Sequence, residues 1–79
     1  MPIYNEIGKM IVYIRKSKGL TQEELALECR MSVAHLGNIE RGKVNTTIRT
    51  LSRIANGLEV DMANLISVSA RTELEHREG

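Results

Sequence analysis

The clearest signal along the chain is a recurrence of large aliphatic residues at helical spacing. Ile7, Ile11 and Ile14 fall at i, i+4 and i+7, which lays one apolar stripe along a helix that Asn5 can cap and Lys18-Gly19 ends. Thr21 is followed three residues later by Glu24, a capping box that opens a second helix with Leu25 and Ala26 inward and Cys29 at its close. Arg30-Met31 leaves room only for a turn. Ser32 is the next N-cap, so a third helix runs from Val33 to Glu40 with Leu36 and Ile39 inward, and Arg41-Gly42-Lys43 stops it. After the polar connection Asn45-Thr46-Thr47, the set Ile48, Leu51, Ile54, Ala55 and Leu58 again fits a 3.6 period, with Gly57 weakening its end. Val60-Asp61 starts a short fifth helix through Met62, Leu65 and Ile66. From Val68 onward only Leu74 is large and apolar, so residues 68–79 form a polar tail, either a frayed exposed helix or disordered. No stretch alternates like a strand. The pattern predicts an all-α, compact five-helix domain over residues 1–67.

Composition narrows this picture. The chain has 79 residues, 42% of them hydrophobic, with no Phe or Trp and only Tyr4 and Tyr13 as aromatics, so the core must be built from Ile, Leu, Val, Met and Ala. A domain this small buries only about 60% of its unfolded surface, which makes dimerisation an expected supplement to its stability. Cys29 is the only cysteine, so neither a disulfide nor a cysteine zinc site can form within the chain, and a reducing compartment is expected. No apolar run approaches ~18 residues and no basic segment precedes an apolar one at the start, so the expected protein is cytoplasmic, with no membrane partner. The net charge of +1 hides an asymmetry: residues 1–60 carry nine Lys/Arg against six Asp/Glu, and residues 61–79 two against four. An enzyme is not expected. Glu23 and Glu24 are adjacent on one helix, no Gly-rich phosphate loop exists, and neither His35 nor His76 stands in a motif with a nucleophile or metal partner, so no cofactor or metal is expected either.

The informative feature is the pair of helices, Thr21 to Cys29 and Ser32 to Arg41, joined by a very short turn. Leu20-Thr21-Gln22-Glu23-Glu24-Leu25-Ala26, then Met31-Ser32, then Ile39-Glu40-Arg41-Gly42, then Leu51, Ile54, Ala55 and Leu58 resemble the helix-turn-helix DNA-binding domain of phage-repressor type. The resemblance covers roughly residues 5–66, and the ordered series with its gaps is far more specific than any one piece. Within that family, Thr47-Ile48-Arg49, Gly57-Leu58-Glu59-Val60 and the shortness of the chain look similar to controller proteins of restriction–modification systems, small dimeric activators and repressors of their own operon.

The resemblance implies roles for particular residues. The third helix enters the major groove, where Val33, Ala34 and Asn38 match base-contacting positions and His35 is a further candidate. Val33 and Ala34 can meet a thymine methyl but cannot hydrogen-bond, so Asn38 becomes the main polar base reader, its amide suited to adenine, with groove shape supplying the rest. Phosphates are expected at Thr21, Gln22 and Ser32, where helix N-termini present free amides, and at Arg41, Lys43, Asn45, Thr47 and Arg49. Arg15 and Glu40 match positions that the family pairs as a buried ion pair. Arg30 stands where the family prefers glycine or asparagine, which implies a left-handed backbone. Lys9, Lys16, Lys18 and Arg53 read as solvated charges, and Cys29 as a small buried filler. Met62, Leu65 and Ile66 are expected to build a dimer interface. The function that follows is a homodimeric transcription regulator on a pseudo-palindromic double-stranded operator, with RNA polymerase as a further partner for an activator. A second class open to the same residues is an antitoxin-like protein-interaction module, which the acidic tail would serve.

Overall fold

The computed structural model describes residues 2–66, and it is all-α there. Four helices, α1 (Pro2–Ser17), α2 (Gln22–Cys29), α3 (Val33–Glu40) and α4 (Ile48–Leu58), are followed by a turn at Asp61-Met62 and a fifth helical segment over 63–66. Among the described residues there is no strand. The expectations for the tail, 68–79, lie outside the described residues.

Each helix ends where its sequence provides for the unpaired backbone groups. At the end of α1 the Leu20 amide donates to the Arg15 carbonyl and the Gly19 amide to that of Lys16, both at 3.0 Å, with Gly19 at φ +73°. The α2 capping box is complete: the Glu24 amide donates to Thr21 Oγ1 at 3.0 Å, and the Thr21 amide to Glu24 Oε1 at 2.8 Å. Ser32 and Thr47 cap α3 and α4 by accepting from the His35 and Thr50 amides. Arg30 has φ 58° and ψ 48°, the left-handed cap implied by its position, and Glu59 closes α4 in the same way at φ 60°. A left-handed non-glycine residue costs roughly 1–2 kcal/mol.

The helices share one core of Ile7, Ile11, Leu25, Ala26, Cys29, Leu36, Ile39, Leu51, Ile54, Ala55, Leu58 and Leu65, all nearly inaccessible. α1 packs on α3, and α2 on both α3 and α4. Two glycines set how closely these helices approach. A Cβ on Gly8 would collide with the carbonyl oxygens of Ile39 and Glu40 at the end of α3, and one on Gly57 would stand 2.7 Å from Cys29 Sγ. Gly57, one residue before the end of α4, is therefore also a contact point with α2.

Three expectations are corrected. Asn5 is not the cap of α1 but an exposed residue inside it, because the helix starts at Pro2, where the missing proline amide costs nothing. Ile3 packs on the core and anchors that extra turn. Ile48 has the right period for the core but is 63% exposed, since it occupies the first position of α4, where no neighbouring element covers it. Leu65 is 1% exposed and belongs to the core of a single chain, so of the expected dimer residues only Met62 and Ile66, both half-buried, keep surface to offer.

Burial pushes the Cys29 thiol up to about 11 from an ordinary 9.0, with nearby Arg53 opposing the shift. At pH 8 the folded protein should hold about a hundredfold less thiolate than an exposed cysteine would, and its reaction with an aromatic disulfide reagent should be correspondingly slow. Addition of urea should restore the rate. Prompt reaction of the native protein at pH 8 would contradict this packing.

Candidate nucleic-acid interface

The unit formed by α2, the turn and α3 is fixed at both ends. At the turn, the Met31 amide donates to the Ala26 carbonyl at 3.0 Å, and the Arg53 guanidinium of α4 donates to the Cys29 carbonyl (2.8 and 3.1 Å) and to that of Arg30. Arg53 is exposed, as the sequence suggests, but it also has a structural role that spacing does not show. It satisfies carbonyls left free at the end of α2 and sets its charge against the negative end of that helix dipole.

At the other end, α1, α2 and α3 meet through charged side chains. Arg15 Nε donates to Glu40 Oε2 at 2.8 Å and Arg15 Nη2 to Glu40 Oε1 at 3.2 Å, with each residue only 8% exposed. Arg15 Nη1 also donates to the Leu20 carbonyl at 2.9 Å. The pairing implied by the resemblance is therefore present, as a bidentate fork. Gln22 completes it: its Nε2 donates to Glu40 Oε1 at 2.8 Å. One Gln22 N–H is consumed inside the protein, and only the other remains for a phosphate.

The outer face of α3 carries the expected base-contacting side chains. Val33, Ala34 and His35 are exposed and Asn38 is half-buried, while Leu36, Gly37, Ile39 and Glu40 are buried. Gly37, in the same helix, is covered by the side chain of Arg41, which folds back along α3. Arg41 Nη2 donates to Asn38 Oδ1 at 2.9 Å, so the Asn38 amide is not free to pair as the sequence suggests.

The expected phosphate-contacting residues are at the surface, with different amounts of chemistry left. The oxygens of Thr21 and Ser32 accept from helix amides, but their hydroxyl protons can still be donated. Thr47 donates its proton to Thr50 Oγ1 at 3.0 Å, so its hydroxyl is fully used within α4. Lys43, Asn45 and Arg49 are exposed, and among the described residues no hydrogen bond or ion pair occupies their side chains. Two contributions were not legible from spacing: Arg53, because a capping arginine 24 residues from its carbonyl looks like any surface cation, and the Arg41–Asn38 pair, whose only clue is Gly37, four residues before Arg41. Among the described residues no helix is long and apolar enough to cross a membrane.

Residues 11–65 match the helix-turn-helix family. An uncharacterised HTH-type transcriptional regulator, y4dJ, of Sinorhizobium fredii is 35% identical over 66 residues, which cover 84% of this chain and 86% of that protein. Control protein C.BamHI of Bacillus amyloliquefaciens is 30% identical over 71 residues, 89% of this chain and 88% of its own length. In structure the chain is similar to the restriction-modification controller protein C.Esp1396I, crystallised as a tetramer with its natural 35 base-pair operator. The TM-score is 0.78 at 32% identity, over 87% of this chain and 91% of that one.

Proposed function

The chain belongs to the helix-turn-helix family of transcription regulators, and from that premise we propose that it acts as a homodimer on a pseudo-palindromic operator, as the controller of a restriction–modification operon. The observation that carries this reading is the exposed outer face of α3, Val33, Ala34, His35 and Asn38, on a helix whose other face is locked into the body through Leu36, Ile39 and Glu40. A helix held this firmly can be placed in a major groove without losing order on binding. Similarity that covers most of two relatives named as controllers supports the controller assignment.

Docking then follows from the chemistry left at the surface. The N-termini of α2 and α3, the loop after α3 and the start of α4 meet phosphates through Thr21, Gln22, Ser32, Lys43, Asn45 and Arg49. Val33 and Ala34 offer methyl contacts to thymine. Two copies related by a two-fold axis place their α3 helices about one turn, ~34 Å, apart, so half-sites share that spacing. RNA polymerase is a partner only for the activating arm of such a controller.

With few base-reading groups on α3, phosphate contacts dominate affinity. Removal of Arg49 (Arg49→Ala) should weaken operator and random duplex alike and reduce the log–log salt slope by about one unit, read by fluorescence anisotropy over a salt series. A loss confined to the operator would place Arg49 on bases instead.

Met62 and Ile66 stay half-buried where the described residues end, with Val60 beside them, which makes this the surface that a second copy covers. Ile66→Asp should convert dimers to monomers in sedimentation velocity at micromolar concentration and weaken operator binding. A variant that remains dimeric would rule this surface out.

A further inference from the structure

We propose that Asn38 and Arg41 form a single reader whose outward atoms are hydrogen-bond donors only, and that this reader selects guanine. The proposal rests on the docking of α3 described above.

The pair is defined by its chemistry. Arg41 Nη2 stands 2.9 Å from Asn38 Oδ1, and a guanidinium has donors and no acceptor, so the amide must turn its oxygen toward Arg41 and its nitrogen away. Arg41 reaches this position by lying back over the preceding turn of α3. A Cβ on Gly37 would stand 3.1 Å from Arg41 Nη1 and 3.4 Å from Nη2, so the absence of a side chain at Gly37 gives the guanidinium its seat. Gly37 is buried beneath it although it lies on an otherwise exposed helix face.

This arrangement changes what Asn38 can read. Adenine presents an acceptor, N7, and a donor, the N6 amine, and a free asparagine matches both. Here one lone pair of the oxygen that would accept from N6 is engaged by Arg41, and the guanidinium charge beside it opposes the approach of a second donor such as that amine. Cytosine, which offers its amine to the groove, meets the same obstacle. The Asn38 Nδ2 hydrogens and the unused Arg41 N–H groups remain. Guanine presents two acceptors, O6 and N7, and is the base that such a donor pair fits; thymine offers one acceptor beside a methyl group.

Selection of sites from random duplex DNA by the full chain tests this. The wild-type protein should enrich guanine at one symmetric position in each half-site. Arg41→Ala releases the Asn38 oxygen, so the same position should change to adenine, with the preference between the two bases moving by about tenfold or more. Gly37→Ala, which crowds the guanidinium, should move it in the same direction. Adenine already enriched by the wild-type protein at the position that Asn38→Ala relaxes would overturn the proposal. So would an Arg41→Ala protein that keeps the wild-type motif and binds every sequence more weakly, since Arg41 would then hold a phosphate. Recovery of no motif at all, with equal affinity for all duplexes, would instead sink the docking of α3.

Discussion

The angle at which α3 leaves the body depends on one buried fork, Arg15 of α1 on Glu40 at the end of α3. Both side chains are almost inaccessible, and every polar atom of the fork is partnered: Glu40 by Arg15 and Gln22, Arg15 by Glu40 and the Leu20 carbonyl. Buried ion pairs often add little net stability over an apolar replacement, because desolvation offsets their attraction. Their geometry is nonetheless demanding. A guanidinium and a carboxylate meet in one plane, so this contact fixes direction where an apolar contact would allow sliding. Beneath it, Gly8 lets α1 approach the Ile39 and Glu40 carbonyls closely. The turn after α1 is tied to the Arg15 guanidinium through the Leu20 carbonyl and the start of α2 to the Glu40 carboxylate through Gln22, so three helices take their relative positions from one fork.

That placement has a functional consequence. A helix that reads DNA must present its face at a constant height and tilt, and in this chain α3 is only eight residues long. Too short to hold its own orientation, it is held by Glu40 at one end and, at the other, by the turn that Arg53 secures. The body is thus given over to holding a short helix, and few side chains remain to read bases. The exposed cations Lys43 and Arg49 supply general affinity for a polyanion, and specificity is left to a few groups on α3.

Much of this was legible in the sequence because it is written locally. Thr21 with Glu24, and Ser32 before an apolar pair, mark the starts of α2 and α3 by chemistry contained within four residues. The resemblance added the Arg15–Glu40 fork, which no periodicity could link across 25 residues. Spacing failed where the deciding contact is distant. Gly57, near the end of α4, is also a gap for Cys29 Sγ, Arg53, though exposed, also caps a neighbouring helix, and Ile48 kept the period of α4 at a place with nothing above it. Asn38 illustrates the same limit within the site. Its residue type suggests an adenine reader, and only the position of Arg41 over Gly37 shows that its oxygen is already engaged.

Arg15 and Glu40 act as one unit, and a double-mutant cycle measures their coupling directly. Arg15→Met, Glu40→Met and the double variant would be compared by urea unfolding. Each single change should cost about 3–5 kcal/mol, because it leaves the other charge buried without its partner, and the double change should cost far less than the sum. A double variant that folds where a single one does not would be the same result in stronger form. Costs that simply add would contradict the account, since they would make the two residues independent supports of the fold.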